Sequence, residues 1–147
     1  MNETTENRSL REWVIHFYTE AGYNCSETLI HAGNAYYHLG LHEEDMKMMA
    51  CFGGGMYSGI TCGALISSTA VLSKCLTGEK AHDNLAEIRP VIQSNVRRFR
   101  ELLGGTDCAK VKPLHYSKEE KCLQTVLLGA QALQETMNEY HLNENRT

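Results

Sequence analysis

The sequence predicts an all-α fold: a single-domain helical bundle of about five to six helices, with a glycine-rich loop before the central helix. Apolar residues recur at three-to-four spacing, no segment alternates apolar and polar residues for long, and no Asn-Gly or Asp-Gly hairpin turn occurs. With 147 residues, of which 42% are hydrophobic, the chain is long enough to bury one core. We expect one domain over residues 1–147, with frayed ends at 1–8 and 141–147.

Two helices are predicted near the start of the chain. The first has an apolar stripe with helical spacing, which consists of Leu10, Trp13, Val14, Phe17, Tyr18 and Ala21. We expect this helix to stop near Gly22 and the second helix to stop at Gly40. Asn24 is predicted to cap the second helix, because Asn24-Cys25-Ser26-Glu27 has the form of a capping box. Cys25 is then the first residue of that helix.

The glycine-rich loop is predicted between a short helix and the central helix. The short helix covers residues 43–51 and runs into Gly53-Gly54-Gly55, where three consecutive glycines interrupt any helix. Thr61 is predicted to cap the central helix, which places Cys62 at its first position. This helix extends to Gly78.

The second half of the chain is predicted to contain two longer helices. One covers residues 79–103 with a kink or break at Pro90, because a proline inside a helix removes a backbone hydrogen bond. A loop that carries Cys108 follows. The last helix is predicted to start at the capping box Ser117-Lys118-Glu119-Glu120 and to contain Cys122.

Charge and hydropathy narrow the class of protein. The formal net charge of -4 argues against a nucleic-acid partner, and the one basic cluster, Arg97, Arg98 and Arg100, is interpreted as a solvated helix face. The N-terminus shows no secretory signal, and the longest mostly apolar run, residues 63–72, is too short to span a bilayer. We therefore expect a cytoplasmic protein without a membrane span, whose amphipathic helices would permit a homodimer.

The chain has an unusual pattern of cysteines. A reducing compartment keeps thiols free, so they are interpreted as reactive or ligating residues. No Cys-x-x-Cys pair occurs, so any shared site must be assembled by the tertiary structure from different elements. The six cysteines are Cys25, Cys51, Cys62, Cys75, Cys108 and Cys122.

Four of these cysteines lie in settings that favour a thiolate. Cys25 and Cys62 are predicted at helix N-termini, where the helix dipole stabilises negative charge. Cations accompany the other two: Lys118 and Lys121 near Cys122, and Lys110 near Cys108. These positions predict lowered pKa values.

The remaining two cysteines lie in apolar surroundings. Cys51 follows Met48-Met49-Ala50, and Cys75 lies on the last turn of a mostly apolar helix. A buried cysteine behaves as a small hydrophobic residue. We therefore expect Cys51 and Cys75 to serve in packing.

The loop that starts at Gly53-Gly54-Gly55 is not a nucleotide loop. It lacks the Gly-Lys-Ser/Thr ending and the G-x-G-x-x-G spacing, and no strand precedes it. Two interpretations remain open: a tight turn between helices, or a loop whose backbone N–H groups approach a thiolate, a cluster or an anion. Under the second, Gly53, Gly54, Gly55 and Gly63 are candidate cofactor-binding residues.

The cysteines lie within a recognisable series of motifs: Gly22-Tyr23-Asn24-Cys25, Phe52-Gly53-Gly54-Gly55-Met56, Thr61-Cys62-Gly63-Ala64, Cys108 and Cys122. With this series the chain resembles the C-GCAxxG-C-C family over roughly residues 10–137. The resemblance implies a redox-active protein with four signature cysteines, which map onto Cys25, Cys62, Cys108 and Cys122. One departure is Ser67, which stands where the family motif has its last glycine.

Three functions remain open. The first is a thiol-based oxidoreductase or electron-transfer protein without a cofactor. In it, Cys62 and at least one of Cys25, Cys108 and Cys122 cycle between thiol and disulfide, and the redox partner is unidentified. The second is an iron-sulfur or other metal protein with these four cysteines as ligands. The third is a non-catalytic helical binding protein with a methionine-rich surface.

Overall fold

A computed structural model describes residues 7–143 of the chain. Every regular element in this part is helical, which confirms the all-α prediction. The seven α-helices between residues 7 and 143 are α1 (Leu10–Ile15), α2 (Cys25–Tyr37), α3 (Glu43–Met46), α4 (Gly63–Leu76), α5 (Leu85–Leu103), α6 (Cys108–His115) and α7 (Leu123–Glu139). The predicted frayed ends fall mainly at positions outside the described residues.

Short segments of other helix types extend or connect these helices. A π-helical turn, His16–Glu20, continues α1, and a 3-10 helix, Lys47–Phe52, continues α3. A turn over Gly55–Gly59 precedes α4, and a 3-10 turn, Ala81–Asn84, leads into α5. The short helix predicted over residues 43–51 is therefore an α-helical turn followed by a tighter one.

The start of α2 has the predicted capping box. The Asn24 side chain accepts the N–H of Glu27 at 3.0 Å, and the Glu27 carboxylate accepts the N–H of Asn24 at 3.1 Å. Two backbone donors at the helix start are thereby satisfied. Cys25 is the first residue of α2, as predicted.

Two other helix starts differ from the prediction. Helix α4 begins at Gly63, so Cys62 precedes it, and Thr61 lies in an isolated β-bridge with Asp107 instead of capping the helix. The capping box predicted at Ser117 forms only a local turn, and α7 begins after Cys122. The reason is that Ser117 and Lys121 exchange two backbone hydrogen bonds, and Lys121 has a φ of 57°, which interrupts a right-handed helix.

The structure also tests two predictions about the second half of the chain. Cys108 lies at the first position of α6, not in a loop. Helix α5 is continuous through Pro90, so the predicted break is absent. Pro90 is close to the start of α5, where it costs one backbone hydrogen bond, and the packing of α5 against α4 and α7 compensates for that loss.

Helix α4 lies at the centre of the bundle and packs against α2, α5 and α7. Its Val71 and Leu72 are fully buried, as are Phe99 of α5 and Leu133 of α7. Burial of such apolar side chains stabilises the fold by about 1.5–3 kcal/mol each. In the described part of the chain, no helix combines the length and hydropathy required to cross a bilayer.

The two cysteines expected in packing roles have different environments. Cys75 is half-buried and packs against the core, as predicted. Cys51 is exposed, which contradicts the prediction. The 3-10 helix that carries Cys51 buries Met49 and turns Cys51 outward. The apolar run alone does not determine which of its residues are buried.

Helices α2 and α4 approach each other closely at Gly63. A Cβ atom added to Gly63 would lie 2.8 Å from the Cys25 sulfur and 2.7 Å from the Phe52 carbonyl oxygen. Gly63 is therefore required by the space that the Cys25 side chain occupies. This contact brings the start of α4 against the start of α2.

We predict that Gly63→Ala destabilises the protein by about 1–3 kcal/mol, because the added methyl group overlaps the Cys25 sulfur and a backbone oxygen. Denaturant unfolding measures this loss. Gly78→Ala is the matched control, since no atom lies within 4 Å of a Cβ at Gly78. Equal stability of both variants would contradict the close contact.

Candidate functional site

The four signature cysteines line one cavity of about 140 Å³. They come from separate elements: Cys25 begins α2, Cys62 directly precedes α4, Cys108 begins α6, and Cys122 directly precedes α7. The structure therefore brings together the four residues that the sequence analysis selected, through tertiary contacts. We refer to this space as the cysteine cavity.

Backbone pairing joins the segments of Cys62 and Cys108. The Cys62 N–H donates to the Thr106 carbonyl at 2.8 Å, and the Cys108 N–H donates to the Ile60 carbonyl at 2.7 Å. These two bonds flank the antiparallel bridge between Thr61 and Asp107. Antiparallel pairing places alternate residues on one face, so Cys62 and Cys108 share a face of this short ladder.

Side chains at the start of α2 hold Cys25 in position. The Asn24 amide donates to the Ala50 carbonyl at 2.9 Å, and the Ser26 hydroxyl donates to the Met49 carbonyl at 2.6 Å. Both acceptors belong to the 3-10 helix that precedes the triglycine loop. The start of α2 and the loop are thereby fixed relative to each other.

The triglycine loop forms a left-handed turn. The four consecutive residues Gly54, Gly55, Met56 and Tyr57 have φ values between 54° and 62°. Left-handed backbone is costly for residues with a Cβ, so Gly54 and Gly55 reduce the cost of this turn. The Gly54 N–H hydrogen-bonds to the Cys25 sulfur. The loop is thus both a tight turn and a donor of backbone N–H to a cavity sulfur.

The four glycines predicted as cofactor ligands have different surroundings. Gly54 lines the cysteine cavity. The other three lie against protein atoms: Gly53 against the Asn24 side chain, Gly55 against the Ile60 backbone, and Gly63 against Cys25. Their lack of a side chain allows close packing around the site, and only Gly54 faces the cavity.

Tyr18 is a cavity residue that the sequence analysis did not select. Its hydroxyl accepts the N–H of Cys122 at 2.9 Å and also hydrogen-bonds to the Cys122 side chain. The apolar spacing places Tyr18 in the buried stripe of the first helix, which gives no sign of a polar role. The π-helical turn shifts the register at this residue, and such turns occur frequently at functional sites.

Burial makes three of the four thiols more difficult to ionise, contrary to the prediction of lowered pKa values. It raises the pKa of Cys25 and Cys122, and it raises the pKa of Cys62 to about 12. Hydrogen bonds from nearby backbone N–H groups oppose the shifts for Cys25 and Cys62 but are weaker than the desolvation. Cys62 is only 3% exposed, which explains why its shift is large.

One cation stabilises the Cys122 thiolate, although the net pKa of Cys122 is raised. It is Lys112 of α6, which lines the cysteine cavity. The sequence-based candidates, Lys118 and Lys121, are both exposed and do not line the cavity. Lys112 lies ten positions before Cys122, so helical spacing cannot reveal this pairing.

The geometry also bears on the metal interpretation. Among residues 7–143, no group of three or more His, Cys, Asp or Glu side chains is placed to hold a metal ion. The four sulfurs therefore share a cavity without forming a coordination sphere in this conformation. No disulfide joins any of the six cysteines, all of which lie in the described part of the chain.

The fold and the site together define a helical protein with four thiols around one cavity. The model of the family described as "Putative redox-active protein (C_GCAxxG_C_C)" matches residues 23–136, and the chain belongs to this family. The resemblance inferred from the sequence motifs is thereby confirmed. Searches of the curated proteins and of the solved structures found no match.

Ser67 replaces the last glycine of the family motif. Its side chain is fully buried in α4, and no hydrogen-bond partner for its hydroxyl lies among the described residues. It does not line the cysteine cavity. The bundle therefore accommodates a serine here without altering the walls of the site.

We predict that Tyr18→Phe slows alkylation of Cys122, because loss of the hydroxyl hydrogen bond raises the pKa of Cys122 further. It also destabilises the fold by about 1 kcal/mol, since the Cys122 N–H loses its acceptor. The alkylation rate of Cys122 is measured against pH by peptide mass mapping. Tyr36→Phe, at a half-buried tyrosine outside the cavity, is the control and leaves the profile unchanged.

We predict that stability falls as the pH rises from about 9 to about 12. In this range the unfolded chain has lost the Cys62 proton, whereas the folded chain retains it, so the folded state binds more protons. For this one thiol the free energy of unfolding falls by roughly 1.4 kcal/mol per pH unit. Denaturant unfolding at several pH values measures the slope.

Cys62→Ser is expected to flatten that slope, because serine does not titrate in this range. Cys51→Ser is the control, since Cys51 is exposed and outside the cavity. A Cys62→Ser slope equal to that of the original protein would show that Cys62 ionises normally in the folded state.

Proposed function

We propose that the protein is a thiol redox protein in which Cys62 cycles between thiol and disulfide with one of the other three cavity cysteines. The observation that carries this proposal is the convergence of four thiols from four elements on one cavity. Formation of the disulfide releases two electrons and two protons, which an external disulfide accepts as it is reduced to two thiols.

Cys25 is the first candidate for the partner of Cys62. The space beside Gly63, the residue after Cys62, is occupied by the Cys25 sulfur. Cys25 is also the thiol that exerts the largest charge effect on Cys62, where it raises the pKa. Both observations support close proximity of these two sulfurs.

The raised pKa values fit a protected redox pair. A buried, protonated thiol reacts slowly with oxidants in water, because the thiolate is the nucleophile. Cys25 and Cys62 would therefore remain reduced until an exchange reaction is delivered to them inside the cavity. The family's redox description agrees with this function.

A metal or iron-sulfur centre on Cys25, Cys62, Cys108 and Cys122 is the second candidate function. Four thiols in one cavity have the donor chemistry for such a centre, and a metal would displace their protons on binding. The sulfurs would have to move to form a coordination sphere, since the present arrangement is not a ligand group. Disulfide chemistry needs only two of them to meet.

We predict that oxidation by an external disulfide lowers the free-thiol count of the colourless, metal-free protein from six to four. Reduction restores the six thiols. Cys62→Ser has five thiols and is expected to form no internal disulfide under the same mild oxidation, because the cavity pair is incomplete, so any thiol that it loses carries half of the reagent as a mixed disulfide. Thiol titration of the unfolded protein and peptide mapping of the disulfide measure both results.

The matched control is Cys51→Ser, which also removes one thiol but leaves the cavity intact. Its count should fall from five to three. Iron with a visible absorption band in protein purified without oxygen would favour the metal centre. An unchanged thiol count in the original protein would favour the third interpretation, a non-catalytic binding protein.

A further inference from the structure

An open groove of about 510 Å³ adjoins the cysteine cavity. Gly54, Cys108 and Lys112 line both spaces. The outer wall of the groove includes Tyr57 and Tyr116, which are 74% and 42% exposed. The groove therefore opens to solvent and shares a wall with the cysteine cavity.

Cys108 is the cysteine that faces both spaces. Cys108 is half-buried, whereas Cys62 is almost completely buried. Cys25 and Cys122 line the cysteine cavity but not the groove. A molecule that enters through the groove meets the Cys108 sulfur first. The order of access is thus set by the fold.

In the described part of the chain, the charge that lines the groove and the cysteine cavity is positive only. Lys112 is the one charged side chain among the described residues that line the two spaces, in a chain with 18 acidic and 14 basic residues. Its ammonium lies 5.1 Å from the centre of the Tyr116 ring, at the outer end of the groove. A ligand with a carboxylate matches this charge.

The cysteine cavity also contains a buried hydroxyl group without a hydrogen-bond partner among the described residues. Thr125 is only 4% exposed, and its hydroxyl has no hydrogen-bond partner among the described residues. It lines the cysteine cavity beside the four thiols. A buried hydroxyl without a partner is costly, so a polar ligand atom in the cavity would satisfy it.

We infer that the groove admits a low-molecular-weight disulfide that carries a carboxylate, with Lys112 binding the carboxylate and Cys108 as the thiol that exchanges. This inference rests on the proposed thiol redox function. The Cys108 sulfur loses its proton to solvent and attacks one sulfur of the ligand. A mixed disulfide with Cys108 forms, the ligand's S–S bond breaks, and the other half leaves as a thiolate that takes up a proton.

The test compares two aliphatic disulfides of similar size and opposite charge: dithiodipropionate, which carries carboxylates, and cystamine, which carries ammonium groups. Reduced protein is treated with each, and mass mapping measures the rate of mixed-disulfide formation at each cysteine. Exposed Cys51, outside the groove, is the internal reference. We expect the ratio of the dithiodipropionate rate to the cystamine rate to be higher at Cys108 than at Cys51.

Lys112→Gln is expected to lower the dithiodipropionate rate and to raise the cystamine rate at Cys108, each by roughly fivefold, as for a unit charge about 4 Å away in water, so the ratio falls by roughly 25-fold. Lys110→Gln is the matched control, because it removes the same charge from the same helix at a residue that does not line the groove. High salt should lower the ratio in the original protein, which tests the charge effect without any substitution.

Three results would overturn the inference: equal ratios at Cys108 and Cys51, equal effects of the two lysine substitutions, or first attachment at Cys122. Initial rates are measured on the reduced original protein and on Cys62→Ser, which lacks the proposed internal pair, so these results are independent of whether an internal disulfide forms. If no internal disulfide forms but Cys108 retains its preference for the carboxylate disulfide, the proposed redox cycle fails while the ligand site stands.

Discussion

The site depends on the backbone pairing between the segment before α4 and the segment before α6. The bridge of Thr61 with Asp107, and the hydrogen bonds that flank it, join two stretches of chain far apart in sequence. Cys62 and Cys108 lie at this pairing, and α4 and α6 start from it. Because the pairing uses backbone groups, it leaves almost no trace in side-chain patterns.

Desolvation is the second physical constraint on the site. Helix N-termini and backbone N–H groups favour thiolates, but the bundle removes the sulfurs from water, and the penalty for a buried charge is larger. Cys62 experiences this most strongly because it is almost completely buried. The result is a set of thiols with raised pKa values beside Cys108, which also lines the open groove. Lys112 and Tyr18 supply the local polar groups that moderate this effect at Cys122.

Much of the fold follows from local sequence. The capping box at Asn24 forms as predicted because its side chain and backbone partners lie within one turn. The box at Ser117 has the same form, yet Lys121 adopts a left-handed conformation and α7 starts later. Pro90 is predicted to kink or break its helix, and α5 continues through Pro90 without a break. Local signals therefore succeed where tertiary contacts agree with them.

The sequence by itself determined the all-α class, the family and the four cysteines, because helical spacing and motif residues are local properties of the chain. Only the tertiary structure decided that these cysteines share a cavity, that Tyr18 and Lys112 belong to it, and that burial raises the pKa of Cys25, Cys62 and Cys122. The reason is that distance, burial and access depend on how helices pack, and residues distant in sequence carry no local signal of that packing.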